Sequence, residues 1–96
     1  MTGDGFASID FGSSGSQVAT LTITGQTGIA TGDHVECWVM GNGTTVDHNA
    51  YEHSIVPLTI KCTAIVAATS FTVLGVSPIH LTGLFKFRWI WSTITP

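Results

Sequence analysis

From Gln17 to Thr24 every second residue is apolar in one register: Ala19, Leu21 and Ile23 share one parity, and Val18, Thr20, Thr22 and Thr24 share the other. Successive side chains of an extended chain point to opposite faces, so this pattern predicts a strand with one buried face and one Thr-rich face open to water or a partner. The same period of two recurs downstream. From His34 to Met40, Val35, Cys37 and Val39 oppose His34, Glu36, Trp38 and Met40. From Leu58 to Val66, Leu58, Ile60, Cys62 and Ala64 oppose Thr59, Lys61, Thr63 and Ile65, and from Ser70 to Val76, Phe71, Val73 and Gly75 oppose Thr72, Leu74 and Val76. Leu84 to Ser92 is the strongest segment, with Phe85, Phe87, Trp89 and Trp91 on one face and Lys86, Arg88 and Ile90 on the other. The apolar stretch from Phe6 to Phe11 is an edge strand or an arm.

Turn chemistry separates these segments. Ser13-Ser14-Gly15-Ser16, the glycines at 25, 28 and 32, and Gly41-Asn42-Gly43 are breaks, Ala67-Ala68-Thr69 is short enough for a hairpin, and Ser77-Pro78 is expected to end its strand. Only Thr44 to Ser54 loses the alternation. There Asp47 is expected to cap a helical turn through Tyr51 and Glu52, which Pro57 terminates. The expected fold class is therefore all-β: a single small β-sandwich or barrel-like domain over residues 1–96, of about six to seven antiparallel strands with one short helical turn. Residues 1–16 are a possible extended N-terminal arm, whose removal up to residue 12 would leave a folded domain.

Composition sharpens this picture. In 96 residues there are 15 Thr, 44% of positions are hydrophobic, and only 9% are charged, where about 25% charged is ordinary. Such a chain is too apolar for disorder, yet no run approaches the roughly 18 apolar residues of a membrane helix. Three bases against six acids leave a net charge of −3, which disfavours nucleic acid as a partner. The first residues contain an acid, no base and no following apolar core, so synthesis is expected in the cytoplasm without a signal peptide.

The candidate chemistry is sparse. His48, Glu52 and His53 read as a hydrogen-bonded loop fixing a crossover between strands, with a metal-like cluster as the alternative, because residues four apart share a helix face. His34 and Glu36 read as a surface pair. The aromatic ladder of Phe85, Phe87, Trp89 and Trp91 reads as core, with a stacking platform for sugars or bases as the alternative. Lys86 and Arg88 point away from that ladder. Cys37 and Cys62 both have the apolar parity and read as small buried hydrophobes, with a disulfide as the other reading. No Gly-x-Ser-x-Gly, no closely paired carboxylates and no phosphate-binding loop is found, so no enzyme activity, no cofactor and no metal is expected.

A surface with so few charges dehydrates at low cost, which points to several contacts per subunit and a homo-oligomer. Interface candidates are Phe6, Ile9, Phe11, Thr20, Thr22, Trp38, His48, Tyr51 and Glu52. The succession Ile9-Asp10-Phe11-Gly12, Val18 to Ile23, Thr24-Gly25-Gln26-Thr27-Gly28-Ile29, Asp47-His48-Asn49-Ala50, Glu52-His53, Ile65-Val66-Ala67, Phe71-Thr72-Val73 and Trp89-Ile90-Trp91 resembles small structural proteins of tailed bacteriophages and prophages. The resemblance implies a non-enzymatic virion protein, made in the host cytoplasm and deposited in many copies. Capsid decoration on the major capsid protein is the first expectation. A tail, fibre or baseplate component, or a host-glycan-binding module, is the alternative.

Overall fold

The computed structural model describes residues 2–41, 43–46 and 48–92. Six strands and one short helix follow in the order β1 (Thr2–Asp10), β2 (Ser16–Ile23), β3 (His34–Val39), α1 (Ala50–Ile55), β4 (Thr59–Val66), β5 (Ser70–Leu81) and β6 (Leu84–Ser92). They form two antiparallel three-stranded sheets, β1-β6-β3 and β2-β5-β4. This is the all-β sandwich that the alternation predicts. Both aromatic-rich or β-branched strands, β5 and β6, take the central places, where a strand is flanked on both edges.

The core lies between the sheets. Ile9, Phe71, Val73 and Phe87 are fully buried, and Phe11, Ile60, Phe85, Trp89 and Trp91 nearly so. Phe71 meets Trp89 edge to face across the interior at 5.2 Å. The ladder of β6 is therefore core, and its fourth member is tied down by the Trp91 indole N–H donating to Gln26 Oε1 at 2.8 Å. Inward-facing Gly75 of β5 makes room for the other sheet: a Cβ there would stand 3.0 Å from Ile9 Cδ1 and 3.3 Å from Phe11 Cζ.

The N-terminal segment forms a strand of the first sheet. Residues 2–10 pair with β6 from Thr2↔Ser92 to Asp10↔Leu84, so the edge-strand reading holds and the strand begins four residues before Phe6. Its glycines have a packing reason. Gly3 and Gly5 face Trp91 and Trp89 in register, and a Cβ on Gly5 would stand 2.6 Å from the Trp89 ring, while one on Gly3 would collide with the Trp91 indole. Large rings on β6 thus lie over small residues on β1.

Three further expectations change. β5 runs through Ser77-Pro78 to Leu81. Proline is tolerated because β4 begins at Thr59, opposite Val76, and on the other side the register with β2 jumps between Val18↔Val76 and Ser16↔Leu81, where no regular ladder needs its N–H. In β4 the register shifts between Cys62↔Val73 and Ala64↔Thr72, which makes Thr63 an extra residue. That bulge reverses the parity, so exposed Ala64 gives way to half-buried Ile65 on the inner face. The cap of α1 is Asn49 rather than Asp47, which lies outside the described residues: Asn49 Oδ1 accepts from Glu52 N–H and Glu52 Oε1 accepts from Asn49 N–H, both at 2.9 Å.

Candidate functional site

Three surfaces carry the polar chemistry: the insert between β3 and β4, and the outer faces of the two sheets. β3 stops pairing with β6 at Val39↔Phe87, and Met40 N–H continues the ladder, donating to the Lys86 carbonyl at 3.0 Å. Beyond it the open edge of β6 and the link before it are met by side chains of the insert. His53 Nε2 accepts from Lys86 N–H at 2.9 Å, Thr45 Oγ1 donates to the Leu84 carbonyl at 2.8 Å, and His48 Nε2 donates to the Thr82 carbonyl at 2.6 Å. Residues 82, 84 and 86 are spaced by two, the repeat at which one strand edge presents its groups. The insert thus takes the place of a strand.

The hydrogen bonds of His53 set its tautomer. Its Nε2 is the acceptor from a backbone N–H, so the ring proton sits on Nδ1 and is donated to the Asn49 carbonyl at 2.9 Å. Neither nitrogen has a lone pair left for a metal, and no group of three His, Cys, Asp or Glu suited to a metal occurs among the described residues. His48, Glu52 and His53 do come together, as a hydrogen-bonded loop. The His48 ring stacks on Phe85 with centroids 4.0 Å apart, and its Nδ1 lies 3.3 Å from Glu52 Oε2, off the alignment of a hydrogen bond. Gly43 permits the close fit, since a Cβ there would stand 3.2 Å from both His53 Cδ2 and Lys86 Cβ.

Glu52 is half-exposed, and its carboxyl is held below its ordinary value of 4.5, first by the Asn49 backbone N–H and next by His48. A carboxyl lowered on folding stabilises the fold fully above its unfolded value, and that contribution disappears as the pH falls through the lower folded value. Thermal melts of wild type and Glu52→Gln are therefore expected to differ most above pH 4.5 and to converge below it. A difference that stays constant with pH would show that the charge on Glu52 contributes nothing.

The outer face of β1-β6-β3 gathers side chains far apart in sequence. Phe6 is opposite Arg88, and Arg88 is opposite Trp38, so the three form one row across the sheet. Phe6 is 61% and Trp38 45% exposed. Lys86 Nζ lies 5.5 Å from the Phe6 ring centroid, and Arg88 reaches toward Asp4 at 3.9 Å. His34 and Glu36 pair at 3.0 Å on the same face and are both exposed. Sequence reasoning missed this row because it weighed Lys86 and Arg88 only against aromatics of their own strand, and the row is set by the register between three strands.

The outer face of β2-β5-β4 is different in kind. Val18, Val76 and Thr59 form one row, and Thr20, Leu74 and Lys61 the next, with Thr22 and Thr72 beyond. Thr22 and Thr72 hydroxyls meet at 3.4 Å. Lys61 is the one charged residue in these rows. Of the interface candidates, Thr20 and Thr22 lie here, Phe6 and Trp38 lie on the opposite outer face, and on the insert Tyr51 is exposed and Glu52 half-exposed. His48 is largely covered. Ile9 and Phe11 are corrected to core residues: Ile9 at the end of β1 and Phe11 just after it pack toward Gly75 and are 0% and 4% exposed.

No described helix is long and apolar enough to cross a membrane. No protein-family model matches the chain, and neither a curated protein nor a solved structure matches it.

Proposed function

We propose that this chain is a non-enzymatic structural protein of a bacteriophage particle, deposited in many copies as a decoration of the capsid and held on the major capsid protein through the outer face of β2-β5-β4. The observation that carries this reading is that face: three strands of Thr, Val and Leu with Lys61 as the one charge in the paired rows. Interface cores are depleted of charge, and hydroxyl and aliphatic groups leave water far more cheaply than ions. The resemblance of the sequence to small virion proteins supports the same reading, which places the mature protein in the virion after synthesis in the host cytoplasm.

The test is reconstruction of particles released from the source strain. Many copies on the shell with Thr20 and Thr22 turned toward it are expected, and particles lacking the chain would overturn the proposal. Copies found only on the tail, fibre or baseplate would keep a structural role and remove decoration. Glutamate at both Thr20 and Thr22 is expected to abolish incorporation while changing the stability of the isolated domain by no more than about 0.5 kcal/mol each, as exposed positions do. A host-glycan-binding module is a second reading, favoured by half-exposed Trp38 in line with Arg88 and Phe6. The aromatic ladder of β6, the other sugar platform considered, is core, with Trp91 3% exposed. Binding of the isolated protein to a glycan array, lost in Trp38→Ala, would replace the first reading.

A further inference from the structure

The two sheets have β1, β3, β2 and β4 at their edges, and three of these strands carry a feature that discourages a further strand from pairing. β2 is broken by the register jump between Ser16 and Val18, and β4 by the bulge after Cys62, with Lys61 beside it. β3 is six residues long and bears the exposed pair of His34 and Glu36. β1 differs. Its nine residues keep one unbroken register with β6, include no proline and no lysine, and have no strand on their other side among the described residues.

The direction of its backbone groups follows from the ends of the ladder. Phe11 N–H, one place beyond the pair Asp10↔Leu84, donates to the Gly83 carbonyl at 2.9 Å, so the odd-numbered residues of β1 turn their N–H and C=O groups toward β6. Lys86 agrees with this, because its N–H and carbonyl serve His53 and Met40 on the far side of β6. The even residues, Thr2, Asp4, Phe6, Ser8 and Asp10, therefore aim their backbone groups outward.

We infer that β1 is a self-pairing edge, along which two copies of this chain join antiparallel about a two-fold axis at Phe6, so that their first sheets become one. This register sets Phe6 against Phe6 of the second copy, Asp4 against Ser8, and Thr2 against Asp10. Each of these pairs joins outward-turned residues, as the exchanged hydrogen bonds require. All nine residues of β1 take part. Moving the axis one residue toward the C-terminus would oppose Asp4 and Asp10, two acids, and moving it one residue the other way would carry Ile9 and Asp10 past Thr2 of the second copy. Charge complements the fit. Asp4 faces the small Ser8 of the second copy, whose neighbour on β6 is Lys86, so the acid of one copy and the base of the other share a row. Phe6 is 61% exposed in the single chain and loses water against its twin, as an aromatic cross-strand pair. The inference does not rest on the capsid reading, because the joined edge belongs to the other sheet and the Thr-rich outer face stays open in both copies.

The test is sedimentation velocity of the full chain from about 1 μM to about 0.5 mM, combined with amide hydrogen exchange at both ends of that range. A monomer–dimer equilibrium is expected. Where about nine-tenths of the chains are dimeric, exchange at the amides of Asp4, Phe6 and Ser8 is expected to be about tenfold slower than in dilute protein, because it then proceeds through the remaining monomer. Phe6→Lys changes an exposed side chain, sets two like charges face to face, and is expected to weaken the dimer about tenfold. A wild-type chain that stays monomeric throughout overturns the inference and leaves the edge to a strand of a different protein. A dimer in which those three amides exchange as fast as in dilute protein also overturns it, as does a dimer that Phe6→Lys leaves unchanged.

Discussion

Deleting residues 2–10 is expected to leave a chain with no cooperative unfolding transition. The segment supplies all of β1 and with it Ile9, one of the largest fully buried side chains among the described residues. It also covers Trp89 and Trp91, which pack over Gly5 and Gly3. Losing a strand from a sheet of three uncovers one edge of β6 and opens one side of the core. Ile9→Ala by itself is expected to cost about 2–5 kcal/mol, and a domain of this size has roughly 5–15 kcal/mol in total. Circular dichroism melts and binding of a hydrophobic dye measure the outcome. A truncated protein that melts cooperatively and binds no dye would restore the arm reading, in which β1 is exchangeable with a neighbouring subunit.

The second large effect is expected at His53. In His53→Ala the Lys86 N–H loses its acceptor in a part-buried place, and the Asn49 carbonyl loses one of its two donors. A buried donor left unpaired costs about 1–3 kcal/mol, and the space left by the ring adds to that, giving a loss of roughly 2–4 kcal/mol. For a domain of this length such a loss lowers the melting temperature by about 10–25 °C. Tyr51→Ala, on the exposed side of the same helix, is the control and is expected to change stability by less than about 0.5 kcal/mol. If His53→Ala melts within a few degrees of wild type, the insert is not what holds the open edge of β6. In that event the insert would be a surface loop, available for contacts of its own.

These two variants mark where sequence reasoning succeeded and where it stopped. Strand parity in β2, β3, β5 and β6 is a local property, written in alternate residues, and it placed Ala19, Val35, Val73 and Phe87 inward without knowledge of any partner. The bulge at Thr63 and the continuation through Pro78 are not local in that sense. Each depends on which strand lies opposite and where that strand begins or ends. The same holds for Gly3 and Gly5: in sequence a glycine-rich start resembles a flexible terminus, and only pairing with Trp91 and Trp89 turns it into a packing requirement. Asn49 against Asp47 is a finer case, since both are good capping residues and two positions separate them.

For the candidate sites the division is sharper. His48, Glu52 and His53 could be grouped by their spacing, but whether their nitrogens face a metal or the backbone of β6 depends on a strand more than thirty residues away. Phe6, Arg88 and Trp38 belong to three different strands, and nothing in any one of them announces the row they form. By itself the sequence determined the all-β class, most inward and outward faces, and a surface unusually poor in charge, because alternation and composition act over a few residues or over the whole chain. Tertiary structure alone decided that the N-terminal segment is an edge strand, that the polar insert replaces a strand, and that the remaining charges gather on one outer face while the other is nearly uncharged. Those outcomes rest on strand order and register, and pairing energies between distant segments have no signature in either segment read alone.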